Sequence, residues 1–202
     1  MHIKKLHIVL LMLGVLATAA FAQETSGPFG LRRGMTQAQV IQIMGTDSVR
    51  QMDSETLRLR TVPKPHSAFE YYSLLFSPKD GLLKIVAYGN EITTNVFGEA
   101  VHRSFIDIRD AVSQTYGQPV NTLDYVKDGS IWKEPEDWMM GLLKDERMLM
   151  SGWVKALPNG IHDIYLEAKA LSREKGFLIL GYEFDGWQEY VDMKKKAAGT
   201  VF

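Results

Sequence analysis

The chain has 202 residues, carries 23 basic against 24 acidic side chains and contains no cysteine. The near-neutral balance excludes a strongly basic, nucleic-acid-binding class, and the missing cysteine excludes disulfides, thiolate metal sites and thiol nucleophiles. With 46% hydrophobic residues, the chain can build one ordinary core or two small half-domains packed together.

The chain opens as an export leader. Lys4 and Lys5 precede an apolar run from Leu6 to Ala20, and Ala20-Phe21-Ala22 places small residues where a signal peptidase reads, so cleavage is expected after Ala22. The run is shorter than the roughly 20 residues needed to span a bilayer. Gln23 rather than cysteine follows the cleavage point, so no lipid is attached there. The expectation is a periplasmic protein, or else a secreted one, with no stable membrane anchor after leader removal.

Thr36 and Gln39 form a capping box in which each side chain satisfies a main-chain N–H of the helix start. Val40, Ile43 and Met44 make an apolar stripe, and Gly45 supplies the stop. The period then changes to two. Leu57, Leu59 and Thr61 alternate with Arg58, Arg60 and Val62, a strand with its arginines in water, ended by Pro63 and Pro65. Ala68 to Phe76 and Leu82 to Tyr88 read as a hairpin around Ser77-Pro78-Lys79-Asp80-Gly81.

The pattern then recurs. Val101, Phe105, Ile108, Val112 and Tyr116 share one helix face, and Gly117 with Pro119 ends that helix. Val120 to Val126 follows as a strand. The stretch 130–147 interrupts the pattern with Trp132, Pro135 and Trp138, and a short helix is expected from Pro135. Pro158-Asn159-Gly160 predicts a turn between strands Met148 to Leu157 and Ile161 to Leu171. In the second of these, Ile164, Leu166, Ala168 and Ala170 face inward, and Asp163, Tyr165, Glu167 and Lys169 outward. Phe177 to Phe184 is a last strand, Trp187 to Ala198 a closing helix, and Lys194-Lys195-Lys196 its solvated end.

The expected fold is therefore α+β, with two helix-plus-antiparallel-meander units over residues 23–98 and 99–202. They share or abut one sheet, with the helices on one face.

The opening Phe29-Gly30-Leu31-Arg32-Arg33-Gly34-Met35-Thr36, running to Gly45, resembles that of small exported bacterial proteins. A similar opening occurs in the outer-membrane assembly lipoprotein of the SmpA/OmlA type, and the tandem layout resembles the β-lactamase-inhibitor-protein fold. Tyr116-Gly117-Gln118-Pro119, Trp153 and Leu178-Ile179-Leu180-Gly181-Tyr182 extend the likeness to uncharacterised exported proteins. Two departures stand out: the lipoprotein's lipidated cysteine is missing, and this chain has about two helix-and-sheet units where that protein has one. The resemblance implies a fold and a habit of binding other proteins.

The residues spell out no catalytic site. His66, His102 and His162 lie far apart in the sequence, without the paired spacing of a metal motif, and no serine stands on a strand-to-helix elbow. No cofactor is expected. The leading expectation is a non-enzymatic binding protein of the envelope whose partner is another protein or a peptide. Tyr71 and Tyr165, on predicted strands, would supply contact area if they share an exposed sheet face. The alternative is a small hydrolase or glycan-binding protein using the Trp132 to Glu146 insertion, with Trp132 and Trp138 as the sugar floor and Glu134, Glu136 and Asp137 beside them.

Overall fold

A computed structural model describes residues 27–154 and 156–199. The leader expected at 1–22 lies outside these residues. Among the described residues, nine strands form one antiparallel sheet: β1 (Val49–Gln51), β2 (Thr56–Leu59), β3 (Phe69–Ser77), β4 (Gly81–Gly89), β5 (Ile92–Thr93), β6 (Asn121–Val126), β7 (Arg147–Val154), β8 (Ile161–Ser172) and β9 (Lys175–Phe184). Their spatial order is β1-β2-β3-β4-β9-β8-β7-β6, with β5 pairing β9. Four α-helices accompany them: α1 (Gln37–Met44), α2 (Glu99–Tyr116), α3 (Trp138–Leu143) and α4 (Trp187–Gly199).

Local chemistry accounts for several of these elements. The Thr36 hydroxyl accepts from the Gln39 N–H at 3.2 Å, and the Gln39 side chain accepts from the Thr36 N–H at 2.9 Å, closing the capping box of α1. In the turn before β8, Asn159 (φ 62°) and Gly160 (φ 68°) are both left-handed, and the Ile161 N–H donates to the Pro158 carbonyl. That is the primed turn whose twist suits a hairpin. The chain leaves Pro135 in a 3-10 turn over Pro135–Asp137 before α3 begins. The predicted stripe of α1 needs one correction. Ile43 is 55% exposed, because this eight-residue helix meets the core through Val40, with Ile41 and Met44 partly buried beside it.

Strand register sorts the sheet into two faces. One face carries Leu57 and Leu59 of β2, Tyr72 and Leu74 of β3, Ile85 and Ala87 of β4, Leu178, Leu180 and Tyr182 of β9, and Ile164, Leu166 and Ala168 of β8. All are buried. Helix α2 packs on β8 and β9, and α3 on β7 and β8. Each fully buried Leu or Phe side chain contributes about 1.5–3 kcal/mol. Near the start of the described chain, Phe29 adopts a left-handed backbone (φ 57°) and sets its ring edge-on against Phe69, Tyr72 and Tyr182. Aromatic packing compensates for a conformation that bulky residues avoid.

Placing every helix on one face fails at the end of the chain. After β9, Gly186 takes φ 95° and turns the backbone across the end of the sheet. Trp187 then lies beside Lys84, Val86, Tyr88 and Tyr165, which the core helices do not cover.

Candidate functional site

The uncovered face is defined by the alternate strand positions. Tyr71 of β3 pairs with Tyr88 of β4, Tyr88 with Ile179 of β9, and Ile179 with Glu167 of β8. One step along, the row is Ser73, Val86, Gly181 and Tyr165. Tyr71 and Tyr165 therefore share this face, both half-buried, although three sheet positions separate them.

A shallow groove of about 300 Å³ runs between Ser73, Lys84, Tyr88, Tyr165, Glu167 and Trp187. In its wall, Lys84 places Nζ 2.7 Å from Glu183 Oε1, directly across the β4–β9 seam, with only 19% and 18% of the two side chains exposed. The same ammonium stands 4.6 Å from the Trp187 ring centroid and 5.1 Å from that of Tyr165. The cation is thus held between two aromatic faces. Burial opposes the charged lysine, but the bond to Glu183 and the nearby Tyr165 outweigh it, so its pKa is raised. Burial also pushes the Tyr165 phenol up. Burial, reinforced by repulsion from Glu183, raises the Asp163 carboxyl.

Tyr165 reaches its position because Gly181 has no side chain. A Cβ there would fall 2.1 Å from Tyr165 Cζ. Further toward the sheet edge, the Tyr71 and Tyr88 rings stack at 4.5 Å with an interplanar angle of 14°, and the Arg58 guanidinium carbon lies 3.7 Å from the Tyr71 centroid. Guanidinium, phenol and phenol make a layered stack extending toward the groove.

The insertion offers a different arrangement from the one expected. Trp138 is only 5% exposed. Its ring lies 4.1 Å from that of His102, and a Cβ on Gly98 would fall 2.1 Å from Trp138 Cε3. The left-handed, side-chain-free Gly98 makes room for the indole beneath α2, so Trp138 belongs to the core and cannot floor a sugar site. Trp132 is half-buried, its main-chain N–H donating to Ser130 Oγ. The structure does not bring the two tryptophans together as one exposed platform.

His66 precedes β3, His102 lies on α2 and His162 on β8. Among the described residues no group of three or more His, Asp or Glu side chains could hold a metal ion, and no helix is long and apolar enough to cross a membrane. Ser151 is fully buried and shares a 2.8 Å hydrogen bond with Thr122.

Sequence reasoning missed Lys84, Glu183, Trp187 and Gly181. A lysine inside the apolar run Leu82 to Val86 and a glutamate between Tyr182 and Phe184 were signs of a cross-strand pair. A glycine in mid-strand was a sign of close approach by a neighbour.

Comparison of the chain with protein families, with curated proteins and with solved structures finds no match.

Proposed function

We propose that this is an exported, non-enzymatic interaction protein of the bacterial envelope, periplasmic after removal of its leader, that docks a protein partner on the uncovered sheet face. The observation that carries this reading is a shallow groove lined by Tyr88, Tyr165 and Trp187, with Tyr71 stacked on Tyr88 beside it, on the sheet face that α2 and α3 leave open. Rings held by stacking and by strand register offer contact area without losing much side-chain freedom on binding, which is what interface hot spots use. The Lys84–Glu183 pair beside the groove gives such a surface a polar register mark.

The same reading treats the fold as two copies of one unit. Helix α1 precedes β1 to β4, helix α2 precedes β6 to β9, and the last strands, β4 and β9, pair antiparallel. This order supports the tandem layout expected from the sequence.

The test is site-specific photo-crosslinking in cells. A crosslinking residue at Tyr88 or Ser73 should trap an envelope protein, whereas one at Asp107 or Asp110 on the outer side of α2 should not. Equal adducts from both sides, or none from Tyr88 and Ser73, would remove the reading.

A further inference from the structure

Toward the free edge of the sheet the uncovered face turns from aromatic to cationic. Arg50 of β1 and Arg58 of β2 stand directly opposite one another. Arg60, two residues beyond Arg58, continues on the same face, and all three are exposed. With Asp47, Glu70 and Tyr71 they line a cleft of about 450 Å³. Neither carboxylate neutralises them: among the described residues, the ion pairs within 4.0 Å include none made by Arg50, Arg58 or Arg60. Like charges on directly paired positions repel each other unless an anion lies near them, and the Arg58 guanidinium is turned onto the Tyr71 ring.

The main chain at this edge adds a second observation. The Met52 N–H donates to the Thr56 carbonyl at 2.9 Å, closing the β1–β2 hairpin. In an antiparallel ladder such pairs alternate, so Arg50 and Arg58 exchange main-chain bonds, while the Val49 C=O and the N–H and C=O of Gln51 point away from β2; the Val49 N–H is taken by the Thr46 carbonyl. Among the described residues no strand lies beyond β1, and Arg50, Gln51 and Met52 are exposed.

We infer that the β1 edge binds an extended acidic peptide segment of the partner, which adds a strand beside Val49–Gln51 and sets its carboxylates against the Arg50 guanidinium, with the charges of Arg58 and Arg60 behind it. The inference rests on the docking reading above and names the partner chemistry it needs. A phosphate or lipid headgroup would engage the guanidinium groups but not the outward main-chain donors and acceptors, whereas a polypeptide uses both.

The experiment is fluorescence anisotropy of the purified protein with a labelled peptide of alternating glutamate and threonine. The peptide should bind, more weakly as salt rises, and the Arg50→Gln/Arg58→Gln variant should bind roughly tenfold or more weakly. An alternating lysine and threonine peptide, or the acidic peptide with a backbone N-methyl on alternate residues, should not bind. Circular dichroism melting verifies that the variant folds. Arg50→Lys/Arg58→Lys, which retains charge but loses the planar fork, should fall between wild type and the glutamine variant.

Undiminished binding by the glutamine variant, or equal binding of the N-methylated peptide, overturns the inference. So does arginine-dependent binding of phosphatidylglycerol vesicles without binding of the peptide. If the peptide does not bind while Tyr88 still crosslinks in cells, the docking face stands and the acidic segment falls. If the peptide binds and Tyr88 gives no adduct, the reverse holds.

Discussion

The ring of Tyr165 lies across Gly181 on the neighbouring strand, so closely that a methyl group on Gly181 would stand 2.1 Å from the tyrosine Cζ. The contact fixes the floor of the groove. Gly181→Ala should expel the ring, cost about 1–3 kcal/mol through overpacking and lower the crosslinking yield at Tyr88. Urea denaturation measures the first effect. In a double-mutant cycle with Tyr165→Ala the two costs should fall well short of their sum. Additive costs would mean that the two residues do not constrain each other.

Glu55, immediately before β2, ties α4 to the sheet. It accepts a hydrogen bond from the Tyr190 hydroxyl at 2.8 Å and an ion-pair bond from Lys194 at 2.6 Å. The Lys194 bond first and the Tyr190 bond second hold its pKa below the ordinary 4.5. A lowered carboxyl pKa stabilises the fold above the unfolded value and loses that contribution as pH falls through the folded one. The last helix should therefore loosen as pH drops below about 4.5. Trp187 fluorescence or amide exchange in α4 checks this, and Glu55→Gln should remove the acid dependence.

His102 is half-buried against Trp138, and burial, only partly opposed by Asp124, lowers its pKa from the ordinary 6.5. Protonation is thus easier in the unfolded chain. Its stabilising effect is full above 6.5 and declines as pH falls from there toward the lowered folded value. The urea midpoint should drop over that interval, and His102→Gln should flatten the drop.

Arg50 and Arg58 oppose each other in register, and among the described residues neither makes an ion pair. In the absence of partner, Arg50→Gln should raise stability by about 0.2–1 kcal/mol by removing a cross-strand repulsion. Thermal melting measures it, and the gain should shrink at high salt.

Elements built from near neighbours were legible in the sequence. The capping box Thr36/Gln39, the apolar face Val101 to Tyr116 and the Asn159-Gly160 turn rest on contacts a few residues apart, and the structure has them in those places. The alternation of β8 holds as well, with Ile164, Leu166 and Ala168 buried and Tyr165 on the other face. What was not legible depends on distant partners. Strands β1 and β5 span three and two residues and exist only because β2 and β9 pair with them. Lys84 and Glu183, 99 residues apart, become a pair only when the sheet closes. Trp138 reads as a surface aromatic until Gly98 opens a space for it, and Trp187 crosses to the other face through one left-handed glycine.

The seam between β4 and β9 has an effect on biogenesis. The last strand among the described residues occupies the middle of the sheet, flanked by β4 and β8 and touched by β5. Until it emerges, β4 and β8 are bare edges open to pairing with neighbouring nascent chains. A polypeptide truncated before Lys175 should consequently aggregate rather than form a smaller stable product, and the intact chain should fold slowly because its decisive pairing is the most distant.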